Sequence, residues 1–261
     1  MNIYRYSILI FFILGSTGCD LQNDHNPEYP PLSNPAQLIY NDLLKAYNES
    51  CISCLKSILD NWNLKYDPVL NVPDSINDVY KVFKEVYTPW DLSRMSESEW
   101  GDNIYNNVSY YIVQTTINYG FHFNEHIEET LTINDFKPSI LNDTIKVLYY
   151  TNEYKSAISY FLGSDYVTVG YENSIENVIP VKPISVNEYL LRIEFLNNFL
   201  RVSDRNWIKL ETHPEIFQIS FSEENDSAKV LFNLIYENGE VILKKENNQW
   251  DIIEYSMLGI S

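Results

Sequence analysis

Between Trp207 and Tyr255 the chain is cut into short runs that alternate apolar and polar residues, divided by Asn, Asp and Gly. A period of two belongs to a strand with one buried face. Trp207 to Glu211, Glu215 to Phe221, Ala228 to Tyr236, Glu240 to Lys245 and Gln249 to Tyr255 therefore read as five strands. Asn238-Gly239 is a strong two-residue hairpin signal, because both residues tolerate the positive φ of a tight turn. In the pair it joins, Val230, Phe232, Leu234 and Tyr236 face one way with Val241 and Leu243 opposite them. Asn233, Lys244 and Glu246 fall among polar neighbours. The result is an antiparallel meander whose apolar face needs a cover.

The segments before it supply helices. Asn34-Pro35 opens a helix, and Leu44, Tyr47, Cys51, Leu55, Ile58 and Trp62 recur at helical spacing, which predicts one long helix from Pro35 to Trp62. A second runs from Asp74, with Ile76, Val79, Val82, Phe83 and Val86 on one face, and ends before Pro89. Tyr110 to Phe123, Thr144 to Tyr150 and Tyr166 to Tyr171 carry the β-branched and aromatic residues of strands. Thr151 to Leu162 reads as a helix closed by Gly163, and the capping box Ser185-Val186-Asn187-Glu188 opens another through Leu200. Helices before strands make an α+β fold, with N-terminal helices packed on a curved antiparallel sheet that ends in the C-terminal meander.

The first nineteen residues give an address. Arg5 precedes an apolar run from Ile8 to Leu14, too short to span a bilayer, and small residues lead to Cys19. Leu14-Gly15-Ser16-Thr17-Gly18-Cys19 resembles a bacterial lipobox, which implies cleavage before Cys19 and lipidation of its sulfur. Ser16 stands where the commonest pattern has leucine, and the other reading is an ordinary cleaved signal with Cys19 incidental. The expected organisation is a signal peptide over residues 1–18, a lipidated flexible tether over 19–34, and a single α+β domain over 35–261 with a subdomain boundary near 164–184. The tether, from Asp20 to Pro31, is polar and proline-broken.

The 261 residues carry 18 Lys+Arg against 36 Asp+Glu. Removing residues 1–18 takes away only Arg5 and leaves 17 basic against 36 acidic side chains, a net charge of −19. That field repels phosphate backbones and anionic headgroups, which disfavours nucleic-acid binding and docking to anionic lipid by a basic surface, and no nucleic-acid partner is expected. Collagen-like, coiled-coil and multi-span membrane classes are excluded by composition.

The segment from Gly239 to Ile253, with a strand ending in Lys244-Lys245, a polar turn and Trp250-Asp251-Ile252, resembles the closing hairpin of secreted cone-shaped α+β domains similar to nuclear transport factor two. The resemblance implies a curved sheet wrapped on helices. That fold serves dehydratases, isomerases, ligand binders and inert scaffolds, so it fixes no function.

Four constellations carry potential chemistry. His122-Phe123-Asn124-Glu125-His126 matches the inverted zinc-protease pattern, which needs a helix to set two histidines one turn apart, yet it follows a run of strand formers. The other reading is two surface histidines, and Glu128, Glu129 or His213 are the available third ligands. Cys51-Ile52-Ser53-Cys54 reads as a local disulfide or two buried thiols, because a redox pair belongs at a helix N-terminus and this one lies inside the predicted long helix. Tyr87, Trp90, Trp100, Tyr105, Tyr110 and Tyr111 are either core or a stacking platform for sugars. His213 beside Glu211 offers an acid–base dyad or a turn between strands. No catalytic residue, metal or cofactor is assigned. The expectation is a membrane-anchored lipoprotein that binds a protein or glycan without turning it over, with a hydrolase acting through His122, Glu125 and His126 as the alternative and a basic protein as one partner class.

Overall fold

The computed structural model describes residues 31–95, 105, 107–121, 130–140, 145–163, 184–202, 210–234 and 237–260. In chain order these form α1 (Asn34–Asn48), α2 (Ile52–Asn63), α3 (Asp74–Val86), β1 (Tyr110–Val113), β2 (Thr116–Gly120), β3 (Leu131–Asn134), β4 (Lys146–Tyr149), α4 (Asn152–Leu162), α5 (Val186–Leu196), β5 (Glu215–Phe221), β6 (Ser227–Leu234), β7 (Glu237–Glu246) and β8 (Gln249–Ile260). The fold is α+β, as its sequence implies, but neither of its two sheets is wholly antiparallel. One holds β1 and β4 in parallel; the other runs β3-β2-β5-β6-β7-β8, with β2 and β5 parallel and every other pair antiparallel. No helix among the described residues is long and apolar enough to cross a membrane.

Two hydrophobic cores share the small sheet. Tyr111, Val113, Val147 and Tyr149 point into the first, where α3 packs Val79, Val82, Phe83 and Val86 against Ile216, Ile219, Val230, Phe232, Val241 and Leu243 of the large sheet. Tyr110, Ile112, Leu148 and Tyr150 point into the second, with Leu55, Leu59 and Trp62 of α2, Ile158 and Phe161 of α4, and Ile193 and Leu196 of α5. Strands covered on both faces need apolar residues at every position, and Tyr110-Tyr111-Ile112-Val113 is buried throughout. A two-stranded sheet also leaves two unpaired edges. Here Trp62 Nε1 donates to Tyr149 O at 2.8 Å and Asn63 Nδ2 to Val147 O at 2.8 Å, while Thr212 closes the β1 edge through Ile112 N and O at 2.9 and 2.8 Å.

Several expectations change. The predicted helix from Pro35 to Trp62 is two helices: α1 closes on Ser50 at φ 49°, and α2 restarts on Cys51. The apolar spacing runs through the break because both helices bury into the same core. The predicted strand from Tyr110 to Phe123 divides at Gln114-Thr115, its halves entering different sheets. Asn238-Gly239 is not the hairpin turn. The pairing of Leu234 with Glu237 brackets positions 235 and 236, and Gly239 sits inside β7 opposite the Phe232 ring. Asn233 is buried, and its polar neighbours are Glu215 and His213. The helix opened by the Ser185 cap, whose Oγ accepts from Glu188 N at 3.2 Å, ends at Leu196 rather than Leu200. The helix ending at Gly163 does close there, with Gly163 at φ 62°. The strand expected over 166–171 and most of that over 207–211 lie outside the described residues.

Candidate functional site: a polar cleft at the carboxyl ends of the parallel strands

Where β1 and β4 end, the backbone must leave the sheet, and open α/β sheets offer ligand crevices at such carboxyl ends. Gln114 and Thr115 follow β1; Tyr150 follows β4 and leads into α4. Between these turns and the large sheet lies a cleft of about 400 Å³. That is within the range of small-molecule sites.

Alternation makes the cleft polar. In β2, Ile117 is buried in the first core while Thr116 and Asn118 face outward. The pairings Asn118 with Thr132 and Asn118 with Gln218 extend this polar face across β3 and β5. Thr132 Oγ1 donates to Asn118 Oδ1 at 2.8 Å. Gln114 does the work of a strand residue: its Oε1 accepts from Ile216 N at 3.0 Å and its Nε2 donates to Thr116 O and Ile216 O. That amide holds β5 at its bulge between Ile216 and Gln218, which places half-buried Phe217 on the cleft wall. Bulges re-aim side chains in this way.

Lys155, Glu211 and Glu215 are the charged members of the lining. Glu215 is buried and accepts from Asn233 Nδ2 at 3.3 Å. Tyr150 also lines the cleft, and its hydroxyl is buried without a hydrogen-bond partner among the described residues. Burial, reinforced by the charge of Glu211, pushes that phenol well above its ordinary pKa, so it stays a neutral donor.

Of the residues singled out in the sequence, Glu211 lines this cleft and the others fall elsewhere. Cys19, Trp100, His122, Glu125, His126, Glu128 and Glu129 lie outside the described residues. Among the described residues no group of three or more His, Cys, Asp or Glu side chains could hold a metal ion. Tyr87, Tyr105, Tyr110 and Tyr111 are buried core rings, leaving Trp90, 40% exposed, as the one accessible described member of the supposed sugar platform. His213 is buried. Its Nδ1 lies 3.2 Å from Asn233 O, and since a carbonyl only accepts, Nδ1 donates its proton there. Cys51 and Cys54 are disulfide-bonded, with Cys51 at the N-cap of α2 and not inside a helix.

The cleft residues other than Glu211 escaped the sequence because β2 and β5 pair across about a hundred residues. The polar alternation of Thr116-Ile117-Asn118 was their one visible sign. Fold and site together define a two-core α+β protein with an open, neutral-to-acidic polar crevice. No protein-family model matches the chain, no curated protein is similar to it in sequence, and no solved structure matches it.

Proposed function

We propose that the chain is an exported lipoprotein, anchored through Cys19, whose folded part binds a polyhydroxylated ligand of one or two sugar rings in the cleft without turning it over. The carrying observation is the lining: Thr116, Asn118, Thr132 and Gln218 present donors and acceptors on one sheet face, while Phe217 offers a ring beside them. Uncharged amides and hydroxyls discriminate by hydrogen bonding, and an aromatic ring stacks on the apolar face of a sugar. The acidic surface argues against phosphate-bearing polymers as partners. The cone-shaped architecture belongs to the same reading, supported by α3 reaching both β5 and β8, which lie three strands apart in the sheet.

Titration of the protein against a panel of neutral oligosaccharides, read by calorimetry, tests the binding. Saturable one-to-one binding that weakens at least tenfold in Asn118→Ala and Gln218→Ala is expected; no binding across the panel retires the reading. The anchor is tested separately by intact mass of the native product, which should begin at a lipid-modified Cys19.

A second reading rests on two carboxylates, Glu211 and Glu215, in one cleft. Glycoside hydrolysis uses such a pair. It predicts shortened oligosaccharide by mass spectrometry, abolished in Glu211→Gln while binding persists.

A further inference from the structure

The disulfide the sequence placed inside a helix stands instead at the start of one, and it is accessible. Cys51 caps the twelve-residue α2, Ile52 and Ser53 between the two cysteines are exposed, and both cysteines are half-buried. The chain reaches Cys51 through Ser50, held in the left-handed region by the close of α1. Cys54 packs against the second core, which leaves Cys51 as the outer sulfur.

The surroundings of Cys51 Sγ suit a thiolate. Cys54 N donates to it at 3.2 Å, and the Ser53 hydroxyl lies 3.5 Å away. The unsatisfied N–H groups and dipole of a helix N-terminus favour a negative charge at this position, which lowers the pKa of a thiol there. An independent feature adjoins it. A groove of about 500 Å³ is lined by Ser50 and Ile52, the two neighbours of Cys51, by Tyr47, Leu191 and Phe195, and by the polar Asn48, Glu194 and Asn198. Apolar rings and side-chain amides alternate along its walls, so both the side chains and the backbone of an extended polypeptide find partners beside the sulfur.

We infer that Cys51–Cys54 is a thiol–disulfide exchange site that oxidises dithiols in extended protein segments, with Cys51 the exchanging sulfur and Cys54 the resolving one. A client thiolate attacks Cys51 Sγ, the Cys51–Cys54 bond breaks, and its electron pair leaves on Cys54 Sγ, which takes a proton from solvent. The second client thiol loses its proton and attacks the client sulfur of this mixed disulfide. Cys51 Sγ departs with the electron pair as a thiolate held by Cys54 N–H. Two electrons pass from client to protein; the client gains a disulfide and the protein ends with two thiols. The disulfide itself is the oxidant, so one turnover needs no other reagent.

The test uses the full chain, oxidised, mixed in native buffer with one equivalent of a reduced Cys-Gly-Gly-Cys peptide. Cys51→Ser and Cys54→Ser are the variants; serine keeps an N-cap oxygen at position 51, so α2 retains its start. One peptide disulfide per protein is expected, with none formed by Cys51→Ser. Cys51 in the Cys54→Ser variant should form a mixed disulfide with oxidised glutathione at least tenfold faster than Cys54 does in Cys51→Ser, mass mapping keeping Cys19 apart. Alkylation of the reduced wild-type chain at pH 6 should reach Cys51 at least tenfold ahead of Cys54, a readout that needs no variant to fold. Exchange seen only in denaturant, or equal reactivity of the two sulfurs, would overturn the inference and leave the disulfide a structural staple.

Discussion

Replacing Gly239 by alanine should destabilise the large sheet, and the structure says by which contact. Gly239 lies in β7 opposite Phe232 of β6, whose ring is fully buried. A Cβ added at Gly239 would sit 2.4 Å from Phe232 Cζ and 2.8 Å from Cε1. Two effects oppose each other. Alanine removes the backbone freedom of glycine in a strand, which favours the variant by about 0.5–1 kcal/mol. Forcing a methyl into a filled core costs about 1–3 kcal/mol. The ring cannot swing aside because Val230, Leu234 and Val241 surround it in the same core, so the clash wins and a net loss of about 1.5 kcal/mol is expected. Urea unfolding followed by tryptophan fluorescence would show it as a midpoint lower by roughly half a molar at a slope near 3 kcal/mol/M. Phe232→Leu makes room at its own cost of about 1–2 kcal/mol, and the double variant should lose at least about 1 kcal/mol less than the two singles together. Additivity within about 0.3 kcal/mol, or a Gly239→Ala variant as stable as the parent, refutes the ring-over-glycine account.

Asp78 ties α3 to the sheet through Lys245 at 2.6 Å, Asn225 at 2.7 Å and Trp250 at 3.2 Å. Burial works to raise its pKa, but those hydrogen bonds outweigh burial and hold it below the ordinary value. Its contribution is therefore whole above the unfolded-state range near pH 4 and is lost as pH falls through the folded value. Asp78→Asn should lower stability by about 2–4 kcal/mol at pH 7 and flatten its decline in acid; an unchanged acid limb counts against the assignment. Arg192 lies over Tyr47 and Phe161 while donating to Glu188 and to Phe161 O, so Arg192→Lys, which lacks the planar fork, should cost about 1–3 kcal/mol by thermal unfolding. A neutral result would mean that charge alone suffices. Trp62→Phe removes the donor to Tyr149 O and should cost about 1–2 kcal/mol in urea titration, with no loss if water replaces the indole.

What could be read from the residues was local. The cap at Ser185, the left-handed stop at Gly163 and the alternation of Val230, Phe232 and Leu234 each rest on a few neighbouring residues, and each is present in the structure. What could not be read was a choice between equivalent patterns. A helical apolar period looks the same whether the helix continues or restarts at Cys51, because the break preserves which side faces the second core. Asn238-Gly239 has the chemistry of a turn, yet Phe232 needs a residue without a side chain opposite it, and that cross-strand demand pairs Phe232 with Gly239 and Leu234 with Glu237 instead. Gln114-Thr115 gives no breaker signal, so the passage of the chain from one sheet to the other was invisible. The disulfide between Cys51 and Cys54 was among the readings the residues offered, but its place at a helix start and the cleft itself were hidden for these same reasons: one depends on where a helix begins, the other on long-range parallel pairing.

The placement of the cleft follows from the small parallel sheet. Because both faces of β1 and β4 are covered by separate cores, neither strand can extend without driving polar backbone between them, and the chain turns outward at Gln114 and Tyr150. Those turns need partners that an apolar interior does not supply. Gln114 supplies them to β5, and Thr115 Oγ1 donates to Tyr150 O at 3.0 Å, linking the two strand ends directly. The side chains that end the sheet are thus the ones that wall the crevice. Ile117 on the opposite face of β2 stays in the core, so a single strand serves packing on one side and recognition on the other. Thr116 and Asn118, beside Thr132 and Gln218, put donors and acceptors on the face that the proposed ligand would meet.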